Sequence, residues 1–318
     1  MAKKGRRRRG PGRKPKLAFG VEVEVVDRSR LEVARALNYE FGGYIEIWQD
    51  EEYEKQLPRE NIQEEKESFL LHFTEKGRHH RWQIVEDESL KCPRGEVYTG
   101  EVVLGPLEER DLEMIRRACK TLLIAGAKTN ETCGVHVHFS SDIFDGASLR
   151  RLIAFFYMYE PILFRALQVS DARKQNQCKP IHEGFAREVL SSNDEVLTIM
   201  KKWYEIAGSG LTKGRFDPVR TYGLNLNPEP LKNHYELRYF NGTLEPDAVL
   251  SYAHIALGML RYSMNKRNTA TLSDAIETRQ RVLSNPNTHY REFSSLMDRM
   301  GLGPKRYTRS RDLLLKNL

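Results

Sequence analysis

At 318 residues and 40% hydrophobic, the chain can bury a sizeable core as one large domain or two modest ones. No apolar stretch approaches the ~18 residues of a membrane helix, and the basic start is not followed by an apolar run, so neither a span nor a signal peptide is expected. The net charge of +7 misleads. Residues 1–16 carry nine Lys/Arg and no acid, which leaves 42 basic and 44 acidic residues in the rest.

That tail, interrupted by Gly and Pro and self-repelling, reads as disordered. It is expected either to touch nucleic acid or another polyanion through salt-sensitive contacts, or to serve only as a solubility or targeting extension. The first strand is LAFGVEVEVV (17–26). Glu22 and Glu24 alternate with valines there, so both carboxylates leave one strand face. Two carboxylates that close cannot both stay charged cheaply unless a cation bridges them. The plain alternative is an exposed edge strand.

A helix is expected over 28–41, ending near Gly42–Gly43, then a strand at 44–49. Residues 50–67, dominated by Glu and Lys, read as a solvated loop or surface helix. FLLHFT (69–74) and RWQIVED (81–87) read as two antiparallel strands around Lys76–Gly77. A strand over 96–106, broken at Gly100, places Glu101 in β structure. Glu101 is preferred over Glu96 as a metal or substrate carboxylate, and Asp87 reads as a turn residue. A helix marked by Pro106 at its start is expected over 107–127.

The strand CGVHVHFS puts His136 and His138 on one face. Imidazoles alternating with valine suit a metal or catalytic site, against the alternative of two satisfied, half-buried histidines. An apolar helix over 147–168 contains Pro161, implying a kink or break. More helix is expected over 180–206, then a Gly-rich loop at 207–218. Strands at 221–227 and 234–241 should form a hairpin. They carry the pairs Asn225/Asn227 and Glu236/Arg238, with Phe240 on the same face as the latter. Arg238, and Arg220 just before the hairpin, are candidate clamps for phosphate or carboxylate. Otherwise Arg238 would form an ion pair with Glu22 or Glu24. Helices near 245–265, 270–283 and 289–300 follow, then a basic, weakly helical stretch at 301–318.

Four i, i+2 polar pairs in apolar strands imply one sheet face furnished as a polar site. The expected class is α+β: a mostly antiparallel sheet with a concave polar active-site face and helices packed on the other face. Cys92, Cys119, Cys133 and Cys178 show no zinc-ligand spacing and read as reduced thiols of a cytoplasmic protein. Cys133 and His136 point to opposite strand faces, which discounts a thiol nucleophile. His79, His80, His182 and Glu183 read as surface residues. No Walker-type, GxGxxG, GxSxG or HExxH motif is present.

The stretches FGVEVEV, WQIVEDESL with EVVLGPL, TNETCGVHVHFS, YEPILFRAL through Arg173 to Lys179, and R-TYGLNLNP with YELRYFNGTLEP together resemble the amidoligase family. That family shares its fold with glutamine synthetase and γ-glutamylcysteine synthetase. The resemblance covers about residues 17–260 and implies a catalytic domain over 17–300 flanked by the two basic ends. Glu88 departs from the family's small residue in a DGS-like turn, which puts the role of Asp87 in doubt. The resemblance implies a ligase joining a small-molecule or peptide carboxylate to an amine through an acyl phosphate, with ATP and Mg²⁺ or Mn²⁺. Glu22, Glu24 and Glu101 would hold metal on one side, and His136 and Glu236 on the nucleotide side. His138 would sit near the phosphates or substrate. Arg220 and Arg238 would stabilise the transferring phosphoryl group, with Asn225, Arg173 and Lys179 as lesser contacts. Two other readings stand beside it: a metal-dependent hydrolase using the same Glu/His face without ATP, and a non-catalytic polyanion-binding protein acting through its basic tail.

Overall fold

A computed structural model describes residues 17–48, 67–208, 218–228 and 233–318. The basic tail, nearly all of the Glu/Lys-rich stretch and of the Gly-rich loop, and most of the turn between the two hairpin strands lie outside them. Among the described residues no helix is long and apolar enough to cross a membrane.

Strand β1 (Phe19–Val26) buries Val21, Val23 and Val25 on one face and leads into α1 (Arg30–Phe41). Ser29 caps that helix: its hydroxyl accepts from the Glu32 amide while the Glu32 carboxylate accepts from the Ser29 amide. Gly42, at φ +72°, ends it. Then come β2 (Tyr44–Trp48), β3 (Ser68–Glu75), β4 (Arg78–Val85), β5 (Thr99–Leu107), α2 (Leu112–Ile124) and β6 (Gly134–Ser140). Helices α3 (Gly146–Ala166), α4 (Asp171–Asn176), α5 (Glu183–Leu190) and α6 (Val196–Lys202) follow. The hairpin β7 (Leu224–Asn225) and β8 (His234–Asn241) precedes α7 (Pro246–Met264), α8 (Leu272–Ser284), α9 (His289–Arg299) and α10 (Pro304–Leu315).

The strands form one sheet in the order β2-β3-β4-β5-β1-β6-β8-β7, every adjacent pair antiparallel. One face carries Val23, Trp82, Val102, Val137 and Leu237, all fully buried, and helices cover it. This is the expected α+β architecture.

Several boundaries differ from expectation, each for a local reason. Pro106 lies inside β5, where the β1–β5 ladder shifts register between Phe19 and Val21, so the helix begins at Leu112. Helix α3 runs through Pro161. A proline at 161 has no N–H for the Tyr157 carbonyl, and Arg279 Nη1 of α8 supplies that donor at 2.6 Å. The stretch 180–206 is two short helices and a π-helical turn, Trp203–Ala207, divided at Ser191 and Ser192. The strand expected over 221–227 shrinks to Leu224–Asn225. A 3-10 turn occupies Pro218–Thr221, and the Asn225 side chain accepts from the Asn227 amide, which ends the strand. Residues 304–315 bury Tyr307, Leu314 and Leu315, and Ser310 bonds Ser251 of α7. His80 is buried and stacks on Phe73, unlike the exposed His79 beside it.

Candidate active site

The face away from the helices is built by strand register. Glu22 of β1 pairs across with His136 of β6, and Glu24 with Glu101 of β5. His138 pairs with Glu236 of β8, which pairs with Asn225 of β7. The four polar pairs read from sequence thus fall on four consecutive strands, β1, β6, β8 and β7, with Glu101 of β5 beside them, because each pair alternates with valine, leucine or tyrosine that the helices bury.

The side chains touch. His136 Nδ1 lies 3.1 Å from both Glu22 Oε1 and Glu236 Oε1, and its Nε2 is 3.6 Å from Glu24 Oε1. His138 Nε2 lies 2.7 Å from Glu22 Oε2. Arg238 Nη1 donates to Glu236 Oε1 at 2.6 Å, and Asn225 Nδ2 donates to Glu236 Oε2 at 2.7 Å. His136, Glu24, Glu236 and Asn225 are each no more than 4% exposed. Glu24 also accepts from the Gly134 amide. Arg238 therefore pairs with Glu236 on its own strand, not across to Glu22 or Glu24.

Three overlapping sets place candidate ligand atoms within 4.8 Å of one another: Glu22, His138 and Glu236; Glu22, Glu24 and His136; Glu24, Asp87 and Glu101. Among the described residues five carboxylates crowd around the Arg238 guanidinium, a costly arrangement in a dry site. Burial pushes the Glu24 carboxyl up to about 7, with Asp87 and Glu22 adding to the rise against His136. Burial and the neighbouring Glu22 carboxylate push Glu101 well above the ordinary range. Burial also opposes the charge of Glu22, but His138 and His136 outweigh it and hold that carboxyl well below its usual value. Glu236 is likewise held low, against its burial, by Arg238 and the two imidazoles. Excess buried negative charge with mixed carboxylate and imidazole donors fits divalent cations.

A family model described as putative amidoligase enzyme matches residues 15–260. The chain belongs to the amidoligase family. A comparison with curated proteins finds no match. The amidoligase match takes in every strand of the sheet and every residue of the cluster, and it ends within α7.

Asp87, read from sequence as a turn residue, does both jobs. One oxygen accepts from the Ser89 amide at 2.8 Å, and the carboxylate joins Glu24 and Glu101. The usable signal was its place just past β4, the strand beside Glu101. Glu96 sits exposed on a 3-10 turn, so of the two acids Glu101 is the one in the cluster. Arg220 lies half-buried on the turn before β7, at the sheet's edge.

Phe240 does not share the polar face. The β6–β8 ladder shifts between Val135 and Val137, and past this bulge Phe240 is buried and stacked on Tyr252 of α7. Arg173 holds the irregular stretch together. Its Nη2 lies 3.2 and 3.3 Å from the Arg238 and Phe240 carbonyls, and its Nη1 donates to the Cys133 carbonyl at 3.1 Å. It is a backbone clamp behind Arg238. Lys179 bridges through its backbone to Thr221 and Gly223. Asn225 gives its amide to Glu236 and positions that carboxylate, while Asn227 accepts from Tyr204. All four cysteines are free, and burial pushes the Cys119, Cys133 and Cys178 thiols up to about 12, which leaves none of these three a ready nucleophile.

Proposed function

We propose that the protein is an ATP- and Mg²⁺-dependent carboxylate–amine ligase, forming an amide or peptide bond through an acyl phosphate on a glutamine synthetase-like fold. One observation carries this reading: five carboxylates and two imidazoles share one sheet face with an arginine in a member of the amidoligase family. Its free thiols suit a reducing, cytoplasmic setting.

The donor set fits Mg²⁺ or Mn²⁺. Glu22, Glu24 and Glu101, joined by Asp87, would hold a cation on one side, and His136 with Glu236 on the nucleotide side. Bound there, Mg²⁺ would supply charge neutralisation, and ATP the phosphoryl group that would make the substrate carboxylate reactive toward an amine. Arg238 is fixed by Glu236 and by Gln177, whose carbonyl accepts its Nε at 3.2 Å, and offers a rigid cation to the transferring group. Arg220 adds a second cation at the edge. His138, anchored to Glu22, orients toward phosphate or substrate. Positioning and charge stabilisation of this kind suffice for phosphoryl transfer without a covalent protein nucleophile.

The test is ATP binding with and without Mg²⁺, followed by phosphate release as carboxylates and amines are added together. Release that needs both partners supports the ligase. Absence of ATP binding with either Mg²⁺ or Mn²⁺ overturns it, and bond cleavage without ATP would point to a metal hydrolase.

A further inference from the structure

Helices α2, α7 and α10 surround a cleft of about 280 Å³ on the helix side of the sheet, away from the Glu/His cluster. That is the small end of the ~300–1,000 Å³ range of ligand pockets. The lining residues of α2 and α7 fall within the amidoligase match, and those of α10 lie wholly beyond it. Arg116 of α2 and Arg306 and Arg309 of α10 line the cleft against one carboxylate, Asp247 of α7. Asp247 is divided between two of them: its Oδ1 lies 2.7 Å from Arg116 Nη2, and its Oδ2 lies 3.4 Å from Arg309 Nη1. Glu109, the partner of Arg306 at 3.0 Å, also serves Arg261 at 2.7 Å. Glu113 reaches Arg116 only at 4.0 Å. The Arg306 and Arg309 side chains are 73% and 77% exposed, so most of their donors remain unspent on protein.

Beside the arginines a chain of hydrogen bonds ends at His254, which also lines the cleft. The Ser251 hydroxyl donates to the Asp247 carbonyl at 2.6 Å, which uses its only proton. The 3.0 Å contact between the Ser251 and Ser310 oxygens is therefore filled by the Ser310 proton. His254 Nδ1, 2.9 Å from Ser310 Oγ, must then be the protonated nitrogen of its ring. Burial pushes the imidazole down to about 4, helped by Arg261 and Arg306 and opposed by Glu109. At neutral pH the ring is uncharged, and its Nε2 is a bare acceptor. Among the described residues nothing bonds Nε2, although Tyr307 stands edge-on to the ring at 4.8 Å.

We propose that this cleft binds hydrogenphosphate: the guanidiniums take its anionic oxygens, and His254 Nε2 accepts from its P–OH. A carboxylate is satisfied by one guanidinium fork, whereas three guanidiniums on two helices suit an anion with more oxygens and more charge. A bare acceptor among cations selects an anion that still carries a proton. Sulfate carries none at neutral pH and would face the Nε2 lone pair, and a phosphate monoester is mostly dianionic there. Bound phosphate joins α10 to α2 and α7. The site is independent of the ligase reading and shares no residue with the sheet-face cluster.

The experiment titrates the full chain by calorimetry with phosphate, sulfate and acetate, at neutral pH and fixed ionic strength, without Mg²⁺ or nucleotide. Phosphate should bind about tenfold or more tightly than sulfate or acetate. Arg306→Gln combined with Arg309→Gln, both at exposed side chains, should weaken phosphate binding about tenfold or more. His254→Leu should bring phosphate and sulfate to similar affinity, with melting curves recorded for each variant. No phosphate binding, equal wild-type affinity for phosphate and sulfate or acetate, phosphate binding unchanged in the arginine pair, or a preference that survives His254→Leu overturns the site. If His254→Leu does not fold, the wild-type comparison and the arginine pair decide between support and rejection, because neither alters a buried residue.

Discussion

Glu236 is gripped from two sides, by the Asn225 amide on one oxygen and the Arg238 guanidinium on the other, and it faces His136 as well. A carboxylate so held has its orientation fixed before any cation arrives. Glu22→Gln, His136→Ala and Glu236→Gln should each cut ATP turnover roughly 100-fold or more, with circular dichroism unchanged; full activity in all three would sink the site. Glu24 behaves oppositely in stability. Its folded pKa, about 7, lies above the unfolded value, so its ionisation on raising the pH costs the metal-free fold stability. Glu24→Gln should raise the melting temperature of metal-free protein above pH 7 while abolishing turnover; a lower melting temperature would contradict this. Arg173 belongs to the backbone. Arg173→Met takes a donor from three carbonyls, of which the Cys133 carbonyl keeps the Gly242 amide, and should cost about 1–3 kcal/mol in urea unfolding, a loss that a purely substrate-binding arginine would not show. The i, i+2 pairs were legible because strand alternation is a local rule. The roles of Arg173 and Asp87, and the burial of Phe240, were not. They depend on a bulge in β8 and on which strand neighbours which, and neither leaves a mark in nearby sequence.

Elements follow their caps and patterns where those signals stand alone. The end of helix α1 was readable from its terminal glycines, whereas α2 starts later than its proline implied because that proline belongs to a register shift in β5. The serine pair between α5 and α6 divides what looked like one helix. Pro161 gives the sharpest test at this scale. Arg279 compensates the Tyr157 carbonyl that proline leaves without a partner. Arg279→Ala should destabilise by about 1–3 kcal/mol. In a Pro161→Ala background, where residue 161 regains its N–H, the same change should cost much less. Equal losses in both backgrounds would show that the guanidinium acts elsewhere, for example over the Tyr157 ring.

Across the whole molecule, the buried carboxyl of Glu160 ties helix α3 to the sheet. Both its oxygens lie 3.0 Å from the Ile181 amide, and Tyr239 donates its hydroxyl to one of them. Burial pushes Glu160 up to about 7. The native state therefore keeps a proton that the unfolded chain releases near its ordinary carboxylate value. Stability from this group is full below that value, falls as pH rises, and is lost once pH passes about 7. The difference is on the order of 3 kcal/mol. Urea unfolding between pH 4.5 and 8 should show this decline, and Glu160→Gln should flatten part of it; an unchanged slope would remove Glu160 as its source.

Strand β1 lies in the interior of the sheet between β5 and β6, yet it precedes both in the chain. During synthesis it must wait for Gly134–Ser140 before both of its edges can be covered. At ~5–20 residues per second, the 114 residues from Val26 to Ser140 take roughly 6 to 23 s. For that interval a valine-rich strand stands with open edges, the circumstance in which nascent chains pair with one another. Glu22 and Glu24 are then ordinary repelling charges in water. They guard the unfinished chain against aggregation before the completed sheet turns them toward one another and toward the imidazoles of β6.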